Sequence, residues 1–121
     1  MKNRQEFHFA IETVSDGKMI GSLLVYQIDK LSRSGELAIA IYEKKNWNSG
    51  YGSDSMRLLI DFVWTHLNLR RLEIGVHSHN PRAKHVYEKL GFKLYGTAHE
   101  KYYINGKFVD TDYLELFRES P

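Results

Sequence analysis

A glycine-containing turn between a predicted strand and a predicted helix is the feature of this sequence best suited to binding a ligand. The turn reads Asn48-Ser49-Gly50-Tyr51-Gly52-Ser53. The first N–H groups of a helix lack intrahelical partners and carry the positive end of the helix dipole, so a helix that starts here would attract a phosphate. Gly50 and Gly52 would let that anion approach the backbone closely. The residues also suit an ordinary strand–helix turn, because they form neither a Walker motif nor a complete dinucleotide-binding fingerprint.

Two histidines and a group of carboxylates are the other side chains with evident binding chemistry. His77 and His79 lie two residues apart at a predicted strand end, which puts both on one face. A metal ion would need a third ligand, and none is evident, so we expect no metal site. His85 falls on the polar side of a predicted helix and is expected to be exposed. The C-terminal segment carries the carboxylates of Asp110, Asp112, Glu115 and Glu119. These suit either attraction of a cationic substrate or a solvated sheet edge.

The composition narrows the function classes. The sequence has no cysteine, which excludes disulfides, Cys-ligated metals and a Cys nucleophile. It has no apolar run near the ~20 residues of a membrane helix and no recognisable signal peptide, so we expect a cytoplasmic protein without membrane association. The net charge is only +2, and a nucleic-acid partner is not expected. Basic residues that could bind nucleic acid are scattered over several predicted elements: Lys44, Lys45, Arg70, Arg71, Arg82 and Lys84.

The elements that must position these residues follow the order β-β-β-α-β-α-β-β. A chain of 121 residues, 42% of them hydrophobic, predicts one domain over residues 1–121. The predicted strands are Phe7–Thr13, Lys18–Gln27, Glu36–Tyr42, Arg71–Val76, Phe92–Ile104 and Tyr113–Phe117. Asp16-Gly17 and Asn105-Gly106 are typical of type I′ hairpin turns, in which both central residues have positive φ. The fold class is therefore α/β with a mixed sheet.

Two helices are predicted from apolar spacing and end signals. The first runs over Ser53–Leu67, and its apolar stripe is Met56, Leu59, Ile60, Val63 and Leu67. The second has Asn80 as its N-cap, Pro81 in its first turn and Gly91 just past its end. Its apolar stripe is Ala83, Val86, Tyr87 and Leu90.

The third predicted strand is the most apolar. Residues 37–41 are all apolar, which predicts a strand covered on both faces. The first helix joins this strand to the one over Arg71–Val76, and such a crossover makes the two strands parallel. Leu72, Ile74 and Val76 are predicted to face the core, whereas Glu73 and Gly75 face away from it.

Several segments resemble GNAT-family N-acetyltransferases. The resemblance rests on Trp47–Gly52, on Leu67–Leu72 and above all on Asn80–Phe92, and it extends over about residues 36–117. It is closest to the branch that contains spermidine and ribosomal-protein N-terminal acetyltransferases. It implies a GNAT-like acyl-CoA N-acyltransferase fold and direct transfer of acetyl from acetyl-CoA to a primary amine. The acceptor would be a polyamine, a protein N-terminus or a small-molecule amine.

The same resemblance implies a set of cofactor-binding residues. The pyrophosphate of acetyl-CoA would lie on the turn that starts at Asn48, and the pantetheine arm would pair with the third strand like an added strand. The residues matched in this way are Ile39, Ala40, Ile41, Asn48, Ser49, Gly50, Tyr51, Gly52, Ser53, Asn80, Ala83 and Tyr87.

Two residues match catalytic positions of the family. Tyr87 matches the tyrosine proposed to protonate the departing CoA thiolate; its position on one helical stripe with Ala83 and Leu90 by itself favours packing in the core. Glu36 matches a position near the acceptor amine, whose ammonium it could bind or whose proton it could accept through water. The alternative for Glu36 is a solvated carboxylate at a strand end. Glu73 is a weaker candidate, expected to face solvent.

The N-terminus departs from the family pattern. Family members have a strand and two helices before the segment matched by Phe7–Thr13, and these helices wall the acceptor site, so we expect a shortened domain. Trp47 stands where the family often has Gln or Arg. A second function therefore stays open, that of a non-catalytic acyl-CoA-binding or regulatory subunit. We also expect a homodimer, because a second copy could cover the apolar sheet surface left exposed.

Overall fold

The structure is a computed structural model that describes residues 5–47 and 50–119. Its strands are β1 (Phe7–Glu12), β2 (Met19–Asp29), β3 (Ser34–Ile41), β4 (Arg71–His77), β5 (Lys93–Ile104) and β6 (Lys107–Phe117). Its helices are α1 (Tyr51–Phe62) and α2 (Pro81–Lys89), with a short 3₁₀ turn at Lys44–Asn46. The predicted order of elements is confirmed, although β6 is one continuous strand that begins at Lys107. Within the described ranges, no helix is both long and apolar enough to cross a membrane.

The six strands form one mixed sheet in the order β1-β2-β3-β4-β6-β5. β3 and β4 pair in parallel, as the crossover through α1 predicts, and the other neighbouring strands among the described residues are antiparallel. One cluster of buried side chains joins the sheet to both helices. Leu72, Ile74 and Val76 alternate into this cluster as predicted. The opposite face of β4 carries polar side chains, and that face becomes one wall of the site described below.

The helix ends largely follow the predicted signals. The Asn80 side chain accepts a hydrogen bond from the N–H of Ala83 at 3.2 Å, and Gly91 ends α2 with φ of 106°. The first helix begins at Tyr51, two residues earlier than predicted, and its last part, Val63–Leu67, is a π turn. A π turn is wider than an α turn, which leaves Leu67 only partly buried although the rest of its predicted stripe is buried.

The two predicted type I′ turns have different outcomes. Asn105 and Gly106 both have positive φ, 50° and 81°, which confirms the second turn. The first is wrong, because Gly17 alone of its two central residues has positive φ. The Asp16 carboxylate accepts hydrogen bonds from the Thr13 hydroxyl and, at 3.1 Å, from the Lys18 N–H. These bonds hold a longer loop that closes at Thr13 and Lys18 (N···O 3.0 Å).

The prediction that β3 is covered on both faces is also wrong. Of residues 37–41 only Leu37 is buried, and Ala40 is exposed. The pairing of β3 with β4 ends at Leu37 and Ile74, although β3 continues beside β2 to Ile41 and β4 continues beside β6 to His77. The two parallel strands therefore diverge. The apolar half of β3 lines the gap between them, and in the described part of the chain no strand pairs with its backbone edge on that side.

Candidate active site

Three adjoining cavities follow the gap where β3 and β4 diverge. The helix-side cavity, of about 280 Å³, lies between β3, the start of α1 and α2. The central cavity, of about 420 Å³, lies between β3, β4 and β6. The sheet-side cavity, of about 430 Å³, lies over the polar face of the sheet. Tyr87 lines the first two cavities and Glu36 lines the last two, so each of these residues stands at a junction.

The helix-side cavity gathers seven of the residues predicted to bind a cofactor. Ile39, Ala40, Ile41 and Gly52 line one side of it, and Asn80, Ala83 and Tyr87 line the other. Met56, which is fully buried in the core, also contributes to the wall. The lining is mostly apolar, and one side of it is the unpaired edge of β3. Such a slot suits a narrow chain with a few amide groups that can hydrogen-bond to a strand edge.

The predicted anion-binding turn is only partly described. Gly50 stands just before α1 with φ of 82°, in the left-handed region that favours glycine. Among the described residues, no side chain caps the first N–H groups of α1. Gly50, Tyr51 and Ser53 lie at this helix start without lining the helix-side cavity, and Asn48 and Ser49 lie outside the described residues.

Trp47 and Arg82 add a feature to the cavity that the sequence analysis missed. The Trp47 indole N–H donates to the carbonyl oxygen of Ile41 at 3.0 Å, which fixes the ring beside the end of β3. The Arg82 guanidinium lies over that ring, 4.5 Å from its centroid. Both residues line the helix-side cavity. In the sequence, Arg82 stands in the first turn of the predicted helix, close to Asn80, and this position could have indicated a cation at this site.

Tyr87 packs in the core and also borders the cavities. It is 8% exposed, belongs to the buried cluster and packs edge-to-face against Phe92. It also lines two cavities. Burial raises the pKa of Tyr87 to about 12, so the phenol is protonated at neutral pH. Within residues 5–47 and 50–119 no group hydrogen-bonds to its hydroxyl, which leaves the O–H available to a bound molecule.

Glu36 is held by a tyrosine from the neighbouring strand. The Tyr26 hydroxyl donates to Glu36 Oε2 at 2.9 Å, in a partly buried setting. Burial and this hydrogen bond raise the pKa of Tyr26. Glu36 is therefore not a freely solvated strand-end carboxylate, and one of its oxygens has a fixed donor.

Glu36 belongs to a row of polar residues that crosses four strands. Tyr26, Glu36, Glu73 and Glu115 are successive cross-strand partners, and such partners share one face of a sheet. Arg71 binds Glu73 at 3.1 Å and Glu115 at 2.9 Å. The expectation that Glu73 faces solvent is wrong, because its side chain is 22% exposed and paired. Among the described residues, Glu36 has no cation within salt-bridge distance, so it is the carboxylate of this row that a bound cation could neutralise.

Tyrosines complete the central and sheet-side cavities. Tyr102 and Tyr113 line both of them. Gly75 makes the position of Tyr113 feasible, because a Cβ atom at residue 75 would lie 3.0 Å from Tyr113 Cε1. From the sequence alone, Gly75 is expected only to face away from the core. Its pairing with Tyr113 depends on the register between β4 and β6, which the sequence pattern does not give.

The histidine pair lies beside the central cavity. The His77 and His79 rings stack with centroids 5.6 Å apart, and Tyr102 meets the His77 ring edge-on. Among the described residues, no group of three or more His, Asp or Glu side chains is arranged to hold a metal ion. His85 is exposed, as predicted.

The C-terminal carboxylates are mostly not a solvated edge. Asp112 is buried and accepts hydrogen bonds from Thr97 at 2.8 Å and Ser78 at 3.1 Å, with Lys84 at 3.5 Å. Against the effect of burial, these contacts hold the pKa of Asp112 below its ordinary value. Glu115 is paired with Arg71 as described above. Of the four carboxylates, Glu119 is the exposed one that fits the predicted edge.

Comparison with known proteins agrees with this geometry. Residues 1–93 match the family described as acetyltransferase (GNAT) domain. The probable N-acetyltransferase YjcK of Bacillus subtilis is 30% identical over 116 residues, which cover 96% of this chain and 64% of the relative. The spermidine N(1)-acetyltransferase of Escherichia coli K12 is also 30% identical, with 96% of this chain and 61% of the relative covered. The chain thus spans less than two thirds of the length of these curated relatives.

A solved structure gives the same result for the fold. The spermidine N-acetyltransferase of Vibrio cholerae in complex with CoA and spermine superposes with a TM-score of 0.86 at 28% identity. The superposition covers 93% of this chain and 65% of that one. The overall fold is therefore shared with that structure over nearly all of this chain.

Proposed function

The chain belongs to the GNAT acetyltransferase family, and on that premise we propose that it transfers acetyl from acetyl-CoA directly to a primary amine. The observation that carries the proposal is the succession of three adjoining cavities with Tyr87 at one junction and Glu36 at the other. This order would put a hydrogen-bond donor on the sulfur side of the thioester and a carboxylate on the amine side.

The helix-side cavity would hold the pantetheine arm. The arm would add to the free edge of β3 as an extra strand, using its amide groups to pair with the backbone of residues 39–41. The pyrophosphate would then reach the start of α1, where Gly50 and Gly52 allow close approach to the backbone. Arg82 adds a positive charge to the same cavity. Asn48 and Ser49 remain predicted members of this phosphate site.

Tyr87 would act on the leaving sulfur. Bound acetyl-CoA supplies an activated thioester carbonyl, and a backbone N–H of β3 would polarise it. The acceptor nitrogen forms its bond to the acetyl carbon while the carbon–sulfur bond breaks and sulfur takes up the electron pair. Because the pKa of Tyr87 is raised to about 12, the phenol keeps its proton and donates a hydrogen bond to that developing charge. This donation lowers the barrier even if the proton moves fully to sulfur only as the products leave.

Glu36 would serve the acceptor. An alkylammonium has a pKa of about 10.4, so the nitrogen must lose a proton before it can attack at neutral pH. Glu36 lacks a cation partner among the described residues and can hold the ammonium first, then accept the proton through water. A carboxylate flanked by Tyr26, Tyr102 and Tyr113 suits a cationic amine better than a neutral or anionic acceptor. Among the acceptors expected from the sequence, a polyamine fits best.

The cellular setting and assembly are part of the proposal. Use of acetyl-CoA and the absence of cysteine support a cytoplasmic location. A homodimer remains our proposal for the assembly, and a Vibrio cholerae relative described as dodecameric supports self-association in general. Light scattering over a range of concentrations tests the dimer, and a single monomeric species throughout would refute it.

Titration with acetyl-CoA by calorimetry, followed by thiol release in the same sample, tests the proposed function. The acceptors to compare are spermidine, peptides with free N-termini and aminoglycosides. We expect binding, and thiol release that is fastest with spermidine. Binding without release from any amine would favour the regulatory subunit over the enzyme. No binding would refute both functions.

A further inference from the structure

An irregularity in β5 turns an additional side chain into the sheet-side cavity. The pairing of β5 with β6 shifts between Ala98 and Tyr102, and Glu100 between them has φ of 50°. Asp110 on β6 accepts a hydrogen bond from the Glu100 N–H at 2.8 Å and so holds the bulge. In a regular strand, neighbouring residues point to opposite faces. Here Lys101 and Tyr102 both line the sheet-side cavity.

The opposite wall of the same cavity has a second irregularity. The pairing of β2 with β3 shifts between Tyr26 and Asp29, and Gln27 has φ of 52°. Gln27 also lines the sheet-side cavity. Residues other than glycine seldom adopt such φ values, and they tend to persist where the backbone shapes a functional site. Gln27 lines this cavity, and Glu100 directly precedes Lys101, which also lines it.

The Lys101 ammonium has the contacts expected of a bound alkylammonium. It donates a hydrogen bond to the Tyr113 hydroxyl. It lies 4.8 Å from the Tyr113 ring centroid and 5.5 Å from the Tyr102 ring centroid, within cation–π range. Glu36 lines the same cavity. The end of a lysine side chain is a primary alkylammonium, the same chemical group as the acceptor proposed above.

We propose that Lys101 occupies the ammonium subsite of the sheet-side cavity and competes there with the acceptor amine. This inference rests on the proposed function. Lys101 is exposed at the cavity mouth, so its side chain can move into solvent when an amine enters. Once displaced, it leaves a positive charge near the entrance. Lys101 therefore lowers affinity for cationic amines in general, and most for those with a second positive charge.

The matched substitutions Lys101→Met and Lys107→Met test this competition. Both remove one positive charge from the β5–β6 hairpin, but Lys107 does not line the cavity. We expect Lys101→Met to lower the KM for spermidine by about threefold to tenfold, with a smaller change for a monoamine and kcat within about twofold. Lys107→Met should leave both constants near those of the parent.

The outcomes separate the two proposals. If the parent chain releases no thiol with any amine, the proposed function is refuted. Competition by Lys101 is then tested by calorimetric titration with spermidine, which Lys101→Met must still bind more tightly than the parent does. An unchanged KM and affinity, or a weaker affinity in Lys101→Met, would overturn the inference. Lys101→Gln, which keeps a polar end group, should behave like Lys101→Met. Thermal unfolding of all three variants verifies that they are folded.

Discussion

The helix-side cavity and the sheet-side cavity are built in opposite ways. The first draws on three short stretches of sequence, at residues 39–41, 47–56 and 80–87. The second draws on one to three residues from each of five strands, among them Tyr26, Glu36, Glu73, Lys101 and Tyr113. A site made of contiguous stretches leaves motifs in the sequence. A site made of cross-strand neighbours is encoded in strand register, which no short motif reveals.

The two cavities also differ in their relation to the core. Met56 and Tyr87 line the helix-side cavity and belong to the buried cluster as well. The sheet-side residues lie on the polar face, where a substitution removes few core contacts. A substitution in the sheet-side cavity is therefore expected to cost little stability, whereas a substitution in the helix-side cavity would also affect the core.

The largest effect is expected for Tyr87→Phe, at the first junction. The loss of the hydroxyl should lower kcat by about 10²–10⁴-fold, because the leaving sulfur loses its hydrogen-bond donor. Affinity for acetyl-CoA should stay within about twofold, since the ring and the cavity shape remain. Stability should change little, as no described group hydrogen-bonds to this hydroxyl. Tyr103→Phe, on an exposed residue outside the three cavities, is the control in thiol-release and calorimetric measurements. Equal activity in the two variants would remove Tyr87 from the mechanism.

Glu36→Gln is expected to impair the use of the acceptor amine without affecting the binding of acetyl-CoA. We expect kcat/KM for spermidine to fall by about tenfold to a hundredfold, because the base and the ammonium partner are both lost. Acetyl-CoA affinity should be unaffected. Glu73→Gln is the matched variant one strand away, and its effect should be smaller because Arg71 already balances Glu73. If both variants lose the same activity, the row of carboxylates acts as a unit and the special role of Glu36 is wrong.

Gly50→Ala probes the start of α1 alone. A Cβ atom at residue 50 would meet nothing within 4 Å. The expected loss of stability comes from the backbone, because φ is +82°, a conformation that residues with a side chain rarely adopt. We expect a loss of about 1–2 kcal/mol in the free energy of unfolding. Gly96→Ala is the control, since a Cβ there also enters open space and φ is not in the left-handed region. Denaturant titration of both variants measures the difference, and equal stability would show that the turn does not need glycine.

The smallest effect concerns Asp112, which joins α2 to β6 through Lys84. Its pKa in the folded chain lies below 3.8, the value for the unfolded chain. The ionised form is therefore favoured by folding, and this contribution is present above about pH 4 and lost as the pH falls through the folded pKa. We expect Asp112→Asn to lose less stability than the parent on acidification through this range. Thermal unfolding at pH 6 and at pH 3 tests this, and parallel losses would contradict it.

The sequence predicts the elements around the helix-side cavity well, because the residues that indicate them lie close together along the chain. The order of elements, the parallel pair and the cap at Asn80 all follow from spacing and end residues. The partial exposure of β3 does not follow from the sequence. Five consecutive apolar residues indicate that a strand avoids water, but they do not show which element packs against each of its faces. Where β3 diverges from β4, no strand among the described residues pairs with that edge of β3.

The sheet-side half depends on distant pairings. Glu36 comes from the family resemblance, but its neighbours Tyr26 and Glu73 follow only from the register of β2, β3 and β4. The inward position of Lys101 depends on a bulge held by Asp110, nine residues farther along the chain. Pairing shifts of this kind carry no composition signal, so pattern analysis assigns such residues to a regular strand.

Backbone amide exchange with and without acetyl-CoA tests the central claim most directly. That claim is that the unpaired half of β3 takes up the cofactor as an added strand. We expect slower exchange within residues 39–41 and in the first turn of α1 at saturating acetyl-CoA, with Gln27 and Lys101 unchanged. Unchanged exchange within residues 39–41 at saturation, or protection confined to β1 and β5, would contradict it.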